Sequence, residues 1–176
     1  MNEIIDKIYR YIEQNNMLTD CERVVVGLSG GADSVCLLMV LKGYIERRRL
    51  QTELCAVHVN HGIRQEAGDD EEFARALCER MGVEFMAYHI DAAGLAKQLG
   101  MSVEEAGRKE RYRIFNEACK ECNARIAVAH HMNDQAETVL MNMARGTSLK
   151  GVRGIVPVRR SEEHTSELQS RLHLVC

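Results

Sequence analysis

Hydrophobic residues along the chain fall into two alternating patterns. Short continuous apolar runs are typical of strands that are buried on both faces, and they cover residues 24–28, 53–60, 83–90 and 125–130. Apolar residues that recur every three or four positions predict helices, and they cover residues 4–12, 34–47, 66–81, 92–99, 102–122 and 134–145. Because strands and helices alternate, we expect an α/β fold with a doubly wound parallel sheet and helices on both faces.

Residues at the ends of the predicted helices support these boundaries. Ser102 and Glu105 have the spacing of a capping box, so a long helix is predicted to start there. Gly82 stands where the C-cap of the preceding helix belongs. Asp134 is placed to cap the last helix at its N-terminus, and Gly146 follows its end.

The segment between the first strand and its helix, residues 29–34, reads Ser-Gly-Gly-Ala-Asp-Ser and forms the glycine loop. Ligands of doubly wound sheets bind outside the carboxyl ends of the strands, where this loop lies. Gly30 and Gly31 let the backbone approach an anion closely, and the N–H groups at a helix start attract phosphate. Ser29 and Ser34 add hydroxyl donors.

Asp33 is the unexpected member of the glycine loop, since a carboxylate repels phosphate. It fits if a divalent cation lies between the two, so the loop predicts a cradle for pyrophosphate and a metal ion. A simple tight turn with a helix cap is the alternative. The spacing matches neither a Walker A loop nor the dinucleotide-binding fingerprint.

The glycine loop resembles the PP-loop of N-type ATP pyrophosphatases. Three later stretches resemble one branch of that superfamily, the tRNA(Ile)-lysidine synthase family; they are HVNHGIR (58–64), EEAGRKERY (104–112) and AHHMNDQAETVLMNMARGTSLKGVRGI (129–155). The resemblance covers about residues 20–159. It implies a Rossmann-like fold of the adenine nucleotide alpha hydrolase type.

The resemblance also implies an activity. Such an enzyme is a cytoplasmic ligase that uses ATP and Mg²⁺ to adenylate the wobble cytidine of an isoleucine tRNA with a CAU anticodon. Free lysine then displaces AMP, which leaves lysidine in the tRNA after pyrophosphate has been released. Another PP-loop tRNA-modifying enzyme, such as a tRNA thiolase, stays open as an alternative, as does an inactive nucleotide-binding fragment. A homodimer is also left open.

The resemblance assigns roles to individual residues. It implies that ATP is bound by Ser29, Gly30, Gly31, Ala32, Asp33, Ser34 and His58. It implies that Asp33 holds Mg²⁺ and that the catalytic set is Asp33, Arg108, Arg111, His131 and Asp134. In this set one of the two arginines would neutralise charge at the α-phosphate, while His131 and Asp134 would position the base and the lysine.

Each of these assignments has a plainer alternative. Arg108 and Arg111 are three residues apart on one helix face, where they also fit a solvated surface paired with glutamates. His58 and its neighbours also fit polar residues that simply follow a strand, and a histidine metal site has no completing ligand. Asn133 stands where the family usually has an acid, which leaves contacts at that position open.

Charge and cysteine content restrict the partners. The net charge of −3 gives no chain-wide surface for nucleic acid, so tRNA contact is expected at the one local basic patch, residues 150–153.

No apolar run reaches the length of a membrane helix, and no signal peptide is apparent. Cys119 and Cys122 form a CxxC pair that we interpret as buried thiols on one face of a helix, in a reducing compartment.

The end of the chain differs from the rest. Residues 160–170, RSEEHTSELQS, match what a common sequencing adapter spells when it is translated. We therefore expect a catalytic domain over residues 1–159 that is incomplete at its C-terminal end, and a non-native tail over residues 160–176. The tRNA-binding C-terminal domains of the family are expected to be absent.

Overall fold

The computed structural model describes residues 2–62, 67–120 and 122–129, and the backbone of two strands farther on. The helices are α1 (Asn2–Gln14), α2 (Ala32–Arg48), α3 (Ala67–Met81), α4 (Ala92–Leu99) and α5 (Val103–Ala118). The strands are β1 (Arg23–Gly27), β2 (Glu53–Asn60), β3 (Glu84–His89), β4 (Ala124–Ala129), β5 (Val158–Arg160) and β6 (Ser166–Ser170). Within the described ranges, every helix is too short or too polar to cross a membrane.

The strands form one sheet in the order β3-β2-β1-β4-β6-β5. Four neighbouring pairs are parallel, namely β3-β2, β2-β1, β1-β4 and β4-β6. The strand β5 runs antiparallel to β6. The chain moves from β1 outward to β2 and β3 and then returns to the other side of β1 with β4. This reversal creates a crevice at the carboxyl ends of β1 and β4, the place where such sheets bind ligands.

Alternate residues of the central strands bury their side chains in two separate cores. Val24 and Val26 pack into the core covered by α1, α2 and α3, whereas Val25 faces the core under α5. All three valines are fully buried. The predicted α/β fold with helices on both faces of a parallel sheet is therefore confirmed.

The predicted helix ends are confirmed at two of the capped positions. The Ser102 hydroxyl accepts a hydrogen bond from the Glu105 N–H at 3.1 Å, as a capping box requires. Gly82 follows α3 with φ +61°, the left-handed conformation of a helix C-cap. The helix predicted over residues 134–145 lies outside the described residues.

The predicted end of α5 is wrong. The helix stops at Ala118 with Cys119 as its cap, four residues before the expected end. The chain must leave the helix here because Ala124 pairs with Arg23 at the start of β4. Cys119 and Cys122 consequently do not share a helical face.

Residues 158–160 and 166–170 extend the sheet beyond β4. Backbone pairing of this kind does not identify the DNA origin of a segment. The assignment of residues 160–176 to a non-native tail stays a prediction, which sequencing of the genomic locus would test. An intact reading frame that carries the same tail would contradict it.

Candidate functional site

The glycine loop is held by the hydroxyl of Ser34. This oxygen lies 3.1 Å from the Ser29 hydroxyl, accepts the Ser29 N–H at 3.2 Å and donates to the Gly31 carbonyl at 2.8 Å. Ser34 is 4% exposed, so these bonds are shielded from water. The loop is thus preorganised by its own side chains.

The backbone of the glycine loop leaves room for an anion at the start of α2. Gly30 has φ +87°, and Gly31 is the N-cap without a side-chain hydrogen bond to the helix. The first N–H groups of a helix have no intrahelical partners, and the helix dipole makes this end positive. The predicted phosphate-binding residues Ser29 to Ser34 therefore stand together in a suitable conformation, with Ala32 as the first helical residue.

Asp33 lies in the first turn of α2, and its side chain is exposed. It belongs to the glycine loop but does not line the cavity described next. Its carboxylate is available to a cation that approaches from solvent.

His58 fixes the end of β2 against the glycine loop. Its Nδ1 lies 2.8 Å from the carbonyl oxygen of Leu28, and the Leu28 N–H donates to the Val57 carbonyl at 2.9 Å. Because a carbonyl oxygen only accepts, Nδ1 is the nitrogen that carries a proton in this contact. His58 is 4% exposed, so its first role is to position the loop.

A cavity of about 430 Å³ opens at the carboxyl ends of β1, β2 and β4. The polar residues that line it are Ser29, Ser34, His58, Asn60, His61, Asp70 and Arg111. Phe115, Val128 and Ala129 contribute apolar surface. A concave site with a few convergent polar groups at the switch point of the sheet is typical of a nucleotide or cofactor pocket.

The two predicted arginines of α5 are placed differently. Arg111 lines the cavity, and its buried Nε has no hydrogen-bond partner among the described residues. Burial lowers the pKa of Arg111, and Arg108 lowers it further. Arg108 is exposed, with its guanidinium 5.5 Å from the centre of the Tyr112 ring. The geometry therefore favours Arg111 as the arginine that faces a ligand.

Asp70 is a cavity residue that the sequence analysis missed. It lies in the first turn of α3, and a Cβ built on Gly30 would be 3.3 Å from the Asp70 Cβ. The signal was available, because α3 follows β2 and must start at the same edge of the sheet as the glycine loop.

Other predicted residues lie outside the described part of the chain. His131, Asn133, Asp134 and the basic patch at residues 150–153 belong to this group. Among the residues that are described, no three His, Cys, Asp or Glu side chains are arranged to hold a metal ion.

The fold and the glycine loop together define an α/β nucleotide-binding domain of the PP-loop class. The family profile described as "PP-loop domain" matches residues 2–172, and the chain belongs to this family.

Its relatives narrow the class. The chain is 42% identical over 158 residues to the tRNA(Ile)-lysidine synthase of Clostridium acetobutylicum and 44% identical over 157 residues to that of Caldanaerobacter subterraneus subsp. tengcongensis. These matches cover 89% and 88% of this chain but 34% and 33% of the relatives, so the chain spans about a third of their length.

Solved structures agree with the fold. The U34-tRNA thiolase NcsA from Methanococcus maripaludis superposes with a TM-score of 0.72 at 25% identity, over 94% of this chain and 57% of the other. An NH3-dependent NAD synthetase from Campylobacter jejuni superposes with a TM-score of 0.59 at 20% identity, over 83% of this chain and 61% of the other. At this identity the similarity supports the fold alone.

Proposed function

We propose that the chain is the PP-loop catalytic part of a tRNA(Ile)-lysidine synthase. The observation that supports this most is the cavity that joins the glycine loop to His58 and to Arg111, whose buried Nε has no hydrogen-bond partner in the described part of the chain. The chain is also more than 40% identical to enzymes of that name. The proposed reaction uses ATP and lysine to convert the wobble cytidine of a CAU-anticodon isoleucine tRNA to lysidine, with release of AMP and pyrophosphate.

The glycine loop would bind the β- and γ-phosphates of ATP. Backbone N–H groups from Gly30 to Asp33 and the hydroxyl of Ser29 would supply the donors, while the Ser34 hydroxyl, which already donates to the Gly31 carbonyl, holds the loop in place. No reorganisation is needed on binding, because Ser34 already holds the loop. Preorganised donors of this kind stabilise the charge that develops as pyrophosphate leaves.

The carboxylates near the glycine loop fit a Mg²⁺ ion that would accompany ATP. Asp33 is exposed in the first turn of α2, and Asp70 approaches Gly30 from α3. Oxygen ligands of this type suit Mg²⁺, which is usually held by one or two carboxylates together with phosphate oxygens. When bound, the ion would supply positive charge to the phosphates.

Arg111 would stabilise the α-phosphate during two successive substitutions. In the first, the cytidine 2-oxygen bonds to the α-phosphorus and pyrophosphate leaves with the bridging electron pair. In the second, the lysine ε-amine bonds to carbon 2 of the base and AMP leaves. Asp134 and His131 are proposed to hold the amine and the base, and residues 150–153 to contact the tRNA backbone.

A tRNA thiolase is the main alternative, since a structural neighbour is one. The positions of the cysteines argue against it for this chain. Cys122 precedes β4 and lines a different cavity beside Cys21 and Arg23, at the amino end of the strands. Sulfur chemistry at the CxxC pair would therefore be separated from the glycine loop by the length of β1.

Pyrophosphate release from ATP and Mg²⁺ tests the proposal. Lysine and the CAU-anticodon isoleucine tRNA would be added singly and together, with nucleoside mass spectrometry to detect lysidine. This chain would be compared with a version that continues past Arg159 in the native frame. We expect release that requires the tRNA, and lysidine only when lysine is present. Bound ATP without tRNA-dependent release in either version would contradict the proposal.

A further inference from the structure

Gly107 and His61 are in close contact between α5 and the segment after β2. Gly107 is buried in the second turn of α5, and a Cβ built on it would be 3.0 Å from His61 Nδ1 and 3.3 Å from His61 Cε1. Glycine inside a helix is less stable than alanine, so a buried helical glycine calls for a packing reason. Here the missing side chain lets the imidazole lie against the helix backbone.

The His61 ring is held at the edge of the cavity by its own segment. The side-chain oxygen of Asn60 accepts the Gly62 N–H at 3.0 Å, and the Asn60 carbonyl accepts the Ile90 N–H at 2.9 Å. His61 lines the cavity but makes no hydrogen bond to a described residue. Burial, with smaller effects of Arg111 and His58, lowers the pKa of His61, so the neutral ring has one N–H to donate.

Arg111 is one helical turn beyond Gly107 and therefore lies on the same face of α5. Its Nε–H is buried without a hydrogen-bond partner among the described residues. The rest of the guanidinium also carries N–H donors. His61 and Arg111 both line the cavity that also contains the glycine loop, so each can present a donor to a ligand there.

We propose that His61 contacts the phosphate of the nucleoside monophosphate together with Arg111, and that Gly107 is the residue that positions His61 for this contact. The inference rests on the proposed function, in which AMP and pyrophosphate separate. The glycine loop binds the pyrophosphate that leaves, and the pair His61–Arg111 binds the phosphate that stays on the adenosine. One cavity then has two phosphate subsites built from different elements.

Calorimetric titration of the full 176-residue chain with AMP, and separately with magnesium pyrophosphate, tests this division. Gly107→Ala and His61→Ala should each weaken AMP binding about tenfold, the loss expected for one hydrogen bond to a charged group. Pyrophosphate binding should change less than about twofold. Ser34→Ala should give the reverse pattern.

Gly68→Ala is the matched control for Gly107→Ala. Both glycines are helical, but a Cβ on Gly68 meets no atom within 4 Å. This variant should bind AMP and pyrophosphate as the parent chain does. A loss of AMP affinity in Gly68→Ala equal to that in Gly107→Ala would overturn the proposal.

A double variant separates positioning from general disruption. If the new methyl group acts by displacing His61, Gly107→Ala should cause no further loss of AMP affinity in the His61→Ala background. The NMR signal of His61 Cε1 should also shift when AMP is added and stay unchanged with pyrophosphate. Additive losses, an unmoved His61 signal or a parent chain that binds no AMP would each overturn the inference.

The outcome is independent of the tRNA reaction. Selective loss of AMP affinity in a chain that modifies no tRNA would retain the two subsites and reject the lysidine function. Lysidine formation together with an AMP affinity that His61→Ala leaves unchanged would support the lysidine function and reject the two subsites.

Discussion

Phe115 lies directly under Gly27 at the end of β1. A Cβ built on Gly27 would be 2.8 Å from the Phe115 Cζ, which is closer than two non-bonded carbon atoms approach each other. The contact joins the last residue of β1 to α5, the helix that carries Arg111. The Phe115 ring therefore forms the floor of the cavity, and only a glycine at position 27 leaves room for it.

Gly27→Ala should displace Phe115 and destabilise the fold. Overpacking of this kind typically costs about 1–3 kcal/mol, and Phe115 is 1% exposed, with little room to move. Urea unfolding followed by circular dichroism would measure the loss. Gly68→Ala, where the added methyl group meets open space, should be neutral or stabilising by up to about 1 kcal/mol. Equal stability of the two variants would contradict this prediction.

Ser34→Ala should loosen the glycine loop. The hydroxyl takes part in three hydrogen bonds within the loop. Because its partners Ser29 and Gly31 are exposed and can bond to water instead, we expect a loss of about 1 kcal/mol in stability. The affinity of Ser34→Ala for pyrophosphate, measured by calorimetry, should be lower than that of the parent chain, because the loop that binds the phosphates is less ordered.

Ser102→Ala is the control for Ser34→Ala, because it removes another serine at a helix start. Its hydroxyl caps α5 at the Glu105 N–H, so a loss of about 1 kcal/mol in stability is expected. Pyrophosphate affinity should stay at the parent value. If both variants lost affinity in proportion to stability, the special role of Ser34 would be rejected.

The pKa of His61 should respond to Arg111. Burial is the largest cause of its lowered pKa and Arg111 the second, so Arg111→Gln should raise the pKa but leave it below the ordinary 6.5. An NMR titration of the histidine Cε1–H signals would show this. A pKa that falls or stays the same in Arg111→Gln would contradict the arrangement.

The same pKa shift predicts how stability depends on pH. The folded state binds the His61 proton less readily than the unfolded chain, so this residue reduces stability as the pH falls from about 6.5 towards the lowered value. In His61→Gln that part of the acid destabilisation should disappear, while stability above pH 7 changes little from this cause. Urea titrations of both proteins at pH 5.5 and 7.5 measure the difference.

Cysteine reactivity should follow burial. Burial raises the pKa of Cys55 and Cys119 to about 12 and that of Cys78 to about 11. Since the thiolate is the nucleophile, iodoacetamide at pH 8 should alkylate these three far more slowly than the half-buried Cys36 and Cys122. Mass spectrometry of timed digests would record the order, and urea should abolish it. Native Cys119 that reacts as fast as Cys122 would show that the end of α5 opens.

The sequence predicted the fold well because each element carries its own pattern. The bounds of β2 and α4 match the structure to the residue, and the mainly apolar β1 and β4 were correctly expected inside the sheet. The error at α5 arose because apolar residues continue past Ala118 without a glycine or proline. What ends the helix is distant in sequence, since the Asn123 side chain donates to the Asp20 carbonyl at 2.5 Å and its N–H to Glu22 at 3.0 Å.

The candidate site was predictable only where a local motif exists. The glycine loop could be recognised from six consecutive residues. The topology puts Asp70 at the same edge of the sheet as the glycine loop. Its contact with Gly30, and the contact of Gly107 with His61, could not be predicted, because each contact joins two elements whose separation depends on packing. Arg108 and Arg111 could not be distinguished by spacing. The packing of α5 distinguishes them, because it places Arg111 in the cavity wall and leaves Arg108 exposed beside the Tyr112 ring.

The position of β1 between β2 and β4 has a consequence for the order of folding. Val25 pairs with Ile126, about a hundred residues later in the chain, and contacts of such long sequence separation form slowly. During synthesis, the glycine loop is complete once α3 and β3 have left the ribosome, but the edge of β1 that will pair with β4 is still unpaired. Such an edge is a template for pairing with other chains. The ligand crevice is thus closed by a strand that emerges after the glycine loop and after β1, β2 and β3. A ligand that needs the whole crevice would therefore report that β4 has paired with β1.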